Sequence, residues 1–265
     1  MFTELYHINL KWIVRDRIVQ SLAGVALLLL VLVPAFSVLS MRQVQELSIT
    51  LSLSWISLVL FVLSTLLGAS SVWRDVEKRY TLSLLPLPYS RGTYLLGKFI
   101  AISVCLVTSA LVFTVVAAVA IWFSSGLYPS ASPINWGAIV IAVVFDVMKY
   151  ILLAALALLF SSFSTSFFLP IFGTISMFLA GNASQEVFEF ITKSSTGAKM
   201  SIVVRLAVKT FYYIIPNFNA FNLKVSAIYP VPLNVEGLFY TVMYFMVYTG
   251  IVLTASTMIF SRREF

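Results

Sequence analysis

Residues 18–41 read IVQSLAGVALLLLVLVPAFSVLSM, a run of 24 residues without a charged side chain between Arg17 and Arg42. A transmembrane helix needs about 20 consecutive, mainly apolar residues, so this run is long enough to cross a bilayer. It is also too long for the apolar core of a secretory signal peptide. The run therefore predicts a membrane-spanning helix that is retained in the protein.

The composition of the whole chain agrees with a membrane protein. Of its 265 residues, 60% are hydrophobic and only 10% are charged, and the mean hydropathy is +1.00. Soluble domains are about 45–50% apolar and about 25% charged, and disordered chains are biased the opposite way. We therefore exclude a soluble enzyme and a disordered chain. The net charge of +7 is interpreted as a sign of membrane topology and not of nucleic-acid binding.

Other long intervals between charged residues predict further spans. The intervals from Glu46 to Arg74 and from Glu236 to Arg262 each fit one span, and a longer interval after Lys98 fits two. A patch rich in Ser and Thr then separates a fourth span from a fifth. The predicted fold is all-α, one polytopic membrane domain over 1–265 with six transmembrane helices: 18–41, 48–72, 99–124, 137–161, 167–183 and 236–260.

The distribution of Lys and Arg predicts the orientation. Ten of the 17 basic residues flank the chain ends or lie in the loop over 73–98, whereas six lie on the other side, mostly in the connection over 184–235. Basic residues collect in cytoplasmic loops. We therefore expect both termini and the 73–98 loop in the cytoplasm, the 184–235 connection outside it, and the protein in the inner or plasma membrane.

Two segments outside the predicted spans mix apolar and charged residues. Over 1–17, charged residues recur at helical spacing opposite aromatic and aliphatic ones, which predicts a helix lying in the membrane interface. In the 184–235 connection, Arg205 and Lys209 are one turn apart among apolar residues, and Pro216 then breaks the helix. This pattern predicts interfacial or re-entrant structure, which must pack on protein or face water.

Residues 92–98, GTYLLGK, match the phosphate-binding pattern G-x-x-x-x-G-K, but their context argues against that function. A working motif needs Ser or Thr at the next position for Mg²⁺ and a strand before the loop. Here Phe99 follows, Pro86 and Pro88 precede, and the segment enters a predicted transmembrane helix. We expect this chain to bind no ATP by itself and to have no enzymatic activity.

Asp146 and Lys149 place two charges near the middle of the fourth predicted span, three residues apart and therefore on one helix face. A charge in the membrane costs about 2.5–3.5 kcal/mol on insertion scales and is a functional hypothesis by default. Two interpretations stay open. The residues form either a functional site within the membrane or a self-neutralised pair that packs against a neighbouring helix or a second subunit.

A soft metal site needs clustered thiolates, thioethers or imidazoles, and the sequence contains no such cluster. It has one histidine, His7, one cysteine, Cys105, and eight scattered methionines, of which only Met243 and Met246 are at helical spacing. We therefore expect no metal site and no cofactor on this chain.

The loop over 73–98 carries the most specific motif of the chain. Glu77 is followed by Thr81-Leu82, then by LLPLPYSR at 84–91 and YLLGKF at 94–99. This pattern resembles the signature of type-2 ABC exporter permeases, and it is closest to the branch linked to multicopper-enzyme maturation. The six predicted spans and the amphipathic N-terminal segment agree with the family pattern.

The resemblance implies a permease subunit that pairs with a second copy or a paralogue, and with two cytoplasmic ABC ATPase subunits that bind ATP and Mg²⁺. The stretch over 74–83 is then the coupling helix, which docks in a groove of the ATPase. The residues assigned to polar contacts there are Arg74, Glu77, Lys78 and Arg79, and those assigned as apolar anchors are Tyr80 and Leu82.

The same sequence is compatible with other functions. The alternative function is a membrane assembly or anchoring protein that transports nothing and recruits a cytoplasmic partner through the 74–98 loop. The plainest interpretation of that loop is a solvated connection whose basic residues anchor at the headgroups. A secondary transporter is disfavoured, because the sequence lacks internal repeats and matching discontinuous helices.

Overall fold

The computed structural model describes residues 15–40, 43–77, 91–127, 133–193, 201–229 and 231–262. All regular structure within these residues is helical, which confirms the predicted all-α class for this part of the chain. Eight α-helices lie in the described ranges, with a 3₁₀ turn at Asn219–Phe221 between the sixth and the seventh. They are α1 (Arg17–Val38), α2 (Val44–Glu77), α3 (Arg91–Leu127), α4 (Trp136–Phe163), α5 (Phe168–Lys193), α6 (Ile202–Ile214), α7 (Lys224–Ile228) and α8 (Val235–Arg262).

Five of the described helices are long and apolar enough to cross a membrane, namely α1, α2, α3, α4 and α8. Their candidate spans are Val19–Val38, Val44–Arg74, Gly92–Leu127, Trp136–Phe163 and Val235–Arg262. These coincide with five of the six predicted transmembrane helices, although α2 and α3 extend beyond the predicted boundaries. The chain is therefore a multi-pass membrane protein.

The remaining predicted span, 167–183, corresponds to α5, but this helix does not end at residue 183. It continues to Lys193, because the residues after 183 include neither Gly nor Pro to stop it. The added turns carry polar residues such as Gln185 and Glu186, and α5 is not among the five helices apolar enough to qualify as a span. Its first half is apolar and its second half is polar.

α4 is the central helix of the bundle. It is the most completely enclosed of the five candidate spans, whereas most of α1 and α8 is not buried within the protein. It contacts α2, α3, α5, α7 and α8, and the side chains over 152–158 are almost entirely enclosed. A helix that is apolar all round is typical of such a central position.

Small residues bring α2 and α4 close together. A Cβ atom added to Gly68 would lie 2.4 Å from Cβ of Ala157 and 3.1 Å from the carbonyl oxygen of Ala154. One turn from there, the hydroxyl of Ser161 donates a hydrogen bond of 2.9 Å to the carbonyl oxygen of Ala69. Close backbones with a polar contact across them are typical of packing between membrane helices.

Candidate functional site

The end of α2 that carries Arg74 is held to two neighbouring elements by charged side chains. The guanidinium of Arg74 forms an ion pair with the carboxylate of Asp16, just before α1. The ammonium of Lys98, on α3, donates a hydrogen bond to the carbonyl oxygen of Ser71. The last two turns of α2 are thus joined to the start of α1 and to α3.

Aromatic side chains connect the same end of the bundle. The ring of Trp73 packs on Phe167, immediately before α5, with centroids 4.8 Å apart. Tyr94 of α3 stacks on Phe260 of α8 at 5.9 Å. These contacts join the end of α2 to the residue before α5, and the start of α3 to the end of α8.

The residues assigned to the coupling helix are only partly within the described chain. Arg74 lies in α2 and Glu77 is its last residue, so the start of the assigned stretch continues α2 without a break. The other four, Lys78, Arg79, Tyr80 and Leu82, lie outside the described residues, as does the predicted interfacial helix before residue 15.

The G-x-x-x-x-G-K sequence forms the first turns of α3. Lys98 is 7% exposed, and its ammonium lies 5.2 Å from the ring centre of Tyr94 in addition to its bond with Ser71. A phosphate-binding loop instead holds its backbone N–H groups free between a strand and a helix. A helical turn with a buried lysine does not offer that arrangement.

A second group of polar side chains lies within the bundle. Lys149 Nζ is 2.5 Å from Asp146 Oδ1, and the hydroxyl of Ser57 on α2 donates a hydrogen bond to Asp146 Oδ2. These three side chains belong to residues that are each 6% exposed. The ammonium also lies 4.6 Å from the ring centre of Tyr150. Both charges therefore have partners inside the protein, as buried charges require.

A third charged residue, Lys224 at the start of α7, lies near enough to this pair for both charges to affect its pKa. α7 packs on α2 and α4. Burial lowers the pKa of the Lys224 ammonium from its ordinary value, the carboxylate of Asp146 counteracts this effect, and Lys149 reinforces it. Among the described residues, the two ammonium groups of this set lie on α4 and on the segment between α6 and α8, and the carboxylate lies on α4.

That segment, over 215–229, enters the bundle. Phe218 and Phe221 are fully buried. The ring of Phe218 lies 5.6 Å from Phe178 of α5, and the ring of Phe221 lies 6.3 Å from Tyr244 of α8. The segment is therefore packed between α5, α4 and α8, which is where irregular backbone is tolerated in a membrane protein.

Asn217 supplies hydrogen bonds at the point where the segment enters. Its backbone N–H donates to the hydroxyl oxygen of Tyr244 at 3.0 Å, and its side-chain amide donates to Gln185 Oε1 at 3.1 Å. Its Oδ1 accepts from the backbone N–H groups of Asn219 and Ala220 at 3.1 and 3.3 Å. These bonds stabilise the turn, because they give partners to backbone N–H groups that lie outside a regular helix.

Gly181 of α5 makes room for this turn. A Cβ atom there would lie 2.3 Å from the carbonyl oxygen of Pro216 and 2.5 Å from Cδ2 of Phe218. Because backbone cannot move aside as a flexible side chain can, the position requires glycine.

The described residues contain no group of three or more His, Cys, Asp and Glu that could hold a metal ion. Cys105 is a buried free thiol on α3. Met243 and Met246, both on α8, are 45% and 60% exposed. His7 lies outside the described residues.

Sequence patterns did not indicate several residues of these sites. Asp16, Ser57 and Gly181 had no predicted role, and Lys224 was counted only for orientation. The one sequence feature that pointed to a role for Gly181 was the presence of a glycine inside a predicted span. The partners of the others become apparent only when distant segments are brought together.

A sequence model of the family described as ABC-2 family transporter protein matches residues 13–265 of the chain. The match extends over all eight described helices. No curated protein matches the chain at a significant level.

Proposed function

The chain belongs to the ABC-2 transporter family, whose members are permease subunits of ATP-binding cassette transporters, and we propose that a separate cytoplasmic ATPase drives it. Two copies, or one copy and a paralogue, form the translocation pathway and export a substrate. ATP and Mg²⁺ bind to the ATPase subunits, and this chain performs no catalysis.

The observation that carries the coupling proposal is the set of contacts at the end of α2. Arg74 and Trp73 contact residues next to α1 and α5, and the adjacent Ser71 is bonded to Lys98 of α3. We propose that the 74–83 stretch docks in the ATPase and that its movement reaches the spanning helices through these contacts. The described part of this stretch, over 74–77, continues directly from a span, which suits the task because a flexible loop would absorb the movement.

The proposed topology has six spans with both termini in the cytoplasm. α5 is the additional span: its 26 residues extend about 39 Å at 1.5 Å per residue, more than the hydrocarbon core requires. The polar second half of α5 then emerges on the outer side. The ten basic residues at the chain ends and in the 73–98 loop support this orientation.

On this topology the segment over 215–229 is re-entrant from the outer side. It enters at Asn217, contacts α4 and α8 within the bundle, and returns to begin α8 at Val235. We propose that it closes the outer end of each permease half and is displaced during transport.

We propose that Asp146, Lys149 and Ser57 form a fixed polar joint between α2 and α4, on which α7 of the re-entrant segment packs. The partners of Asp146 and Lys149 support this role, because both charges are already compensated within the chain. A substrate is then not needed to neutralise them. This favours the self-neutralised pair over a functional charge that binds substrate.

The branch of the family is proposed on sequence alone. The 81–99 motif supports the branch linked to multicopper-enzyme maturation. The chain itself is not proposed to bind copper, since its sequence has only one histidine and one cysteine.

The experiment that tests the proposal is affinity purification of the tagged chain from its native membrane in a mild detergent. The proposal predicts that an ATPase with Walker A and Walker B motifs copurifies in a fixed ratio, and that the complex hydrolyses ATP in a vanadate-sensitive manner. A partner without nucleotide-binding motifs, or a complex without hydrolysis, would instead support the anchoring protein.

A further inference from the structure

α6 (Ile202–Ile214) exposes its apolar side chains although it is attached to a packed bundle. No residue of this helix is buried. Val203 is 74% exposed, Leu206 is 66% exposed and Phe211 is 61% exposed. An apolar surface of this kind marks a contact with a partner or with a membrane.

The apolar and the cationic residues of α6 lie on opposite faces. Val203, Ala207 and Ile214 are four and seven residues apart, so they share one face. Arg205 and Lys209 are four residues apart and share the opposite face. α6 is therefore amphipathic, with two cations one turn apart.

The contacts of α6 with the bundle use a third, narrow face. Tyr212 stacks on Phe188 of α5 with ring centroids 4.3 Å apart, and Val208 on the preceding turn is half-buried. The hydroxyl of Tyr248 on α8 donates a hydrogen bond of 2.9 Å to the carbonyl oxygen of Ile214. The helix is thereby fixed at the rim of the bundle, and no other described segment of the chain covers its apolar face.

We propose that α6 lies in the plane of the membrane at the lipid–water interface, where Arg205 and Lys209 bind the phosphates of anionic phospholipids. An amphipathic helix with cations on its polar face is the type that lies in this position. The chain turns into the bundle directly after α6, at the buried Pro216, so α6 lies at the edge of the bundle. That this is the outer interface rests on the proposed topology. Each cation near an anionic surface raises the affinity about fivefold.

The test measures lipid composition next to α6 in the full-length chain. Val203→Cys, in a Cys105→Ser background, is labelled with a fluorophore and reconstituted into phosphatidylcholine vesicles. A small fraction of either phosphatidylglycerol or phosphatidylcholine carries a nitroxide on its acyl chain as quencher. The ratio of the two quenching efficiencies reports the local enrichment of the anionic lipid.

The expected result is strong quenching by both lipids, with phosphatidylglycerol enriched about fivefold or more around the label. Replacing Arg205 and Lys209 together by Gln should return the ratio to unity while quenching itself persists. The matched variant Arg262→Gln removes an exposed cation at the far end of α8 and should leave the ratio unchanged. Inorganic phosphate added to the buffer should also leave it unchanged, because the ligand is the lipid.

Three results would overturn the inference. Equal quenching by the two lipids would mean that the cations do not select anionic headgroups. Absence of quenching by either lipid would place the apolar face outside the membrane. Fluorescence changes that depend on protein concentration and not on lipid would show that a second copy covers this face. Failure of the ATPase to copurify would contradict the proposed function but would leave the lipid enrichment as it is.

Discussion

The guanidinium of Arg74, in the last turns of α2, is ion-paired with the carboxylate of Asp16, which precedes α1 by one residue. The two residues are 58 positions apart in the sequence. Their contact joins the start of the first spanning helix to the end of the second. Under the proposed function, this is the place where a movement imposed on α2 first reaches another helix.

Arg74→Gln should weaken the coupling without much loss of stability. The side chains of Arg74 and Asp16 are 33% and 13% exposed, so water partly screens this pair, and such a pair contributes about 1 kcal/mol. We therefore expect the thermal unfolding midpoint in detergent to change little, whereas ATP hydrolysis stimulated by the permease falls several-fold. Arg262→Gln, which removes a cation at the end of α8, is the control that should affect neither. A large loss of stability in Arg74→Gln would show that the pair is structural.

Single substitutions in the buried pair should be far more harmful than the double substitution. Asp146→Asn or Lys149→Met each leaves one buried charge without its partner, which costs about 3–5 kcal/mol. The variant with both substitutions removes both charges and should recover most of the stability. Unfolding by denaturant in detergent gives the three free energies of unfolding. Additive effects of the two single variants would contradict a fixed ion pair.

Gly181→Ala should destabilise the protein by about 1–3 kcal/mol, because the new methyl group overlaps the backbone of Pro216. Gly250→Ala is the matched control on α8, where nothing lies within 4 Å of the added Cβ. That variant should be neutral or slightly stabilising, since Ala is the better helix former. Thermal unfolding in the same detergent measures the midpoints of the two variants, and that of Gly181→Ala should be lower. Equal midpoints would argue against the close approach at Gly181.

Tyr244→Phe should loosen the re-entrant segment. Its hydroxyl accepts the hydrogen bond of the Asn217 backbone N–H, and a half-buried donor left without an acceptor costs about 1 kcal/mol, the lower end of the range for buried groups. Tyr240→Phe on the same helix removes a hydroxyl that bonds to the exposed Glu236 and should have almost no effect. Proteolysis of the 215–229 segment, or hydrogen exchange within it, should increase only in Tyr244→Phe. The same protection in both variants would refute the role of this bond.

Most of the spanning helices could be predicted from the sequence, because the length of an apolar run is fixed by the thickness of the bilayer. The ends of the helices could not. Charged residues were used as limits, yet α2 continues to Glu77 and α3 already begins at Arg91. A charge ends the apolar span, but it does not end the helix. The same reason explains why α5 continues to Lys193.

The candidate sites were predictable only where their residues are neighbours in the sequence. Asp146 and Lys149 lie three residues apart, so helical periodicity was enough to pair them. Ser57, which bonds to Asp146, is 89 positions away, and Lys224 arrives on a segment that no periodicity describes. Contacts between distant segments depend on how the helices pack, and this packing cannot be inferred from composition.

The proposed coupling runs from an ATPase to this permease through the stretch that follows α2. Its most direct test is vanadate-sensitive ATP hydrolysis by the purified complex in lipid vesicles, with Glu77→Arg and Arg79→Glu combined. We predict a fall of about tenfold, within the range of coupling between distinct sites. The control that combines Glu186→Arg and Lys193→Glu on α5 should retain the wild-type rate. Unchanged hydrolysis in the Glu77 and Arg79 variant would contradict the claim.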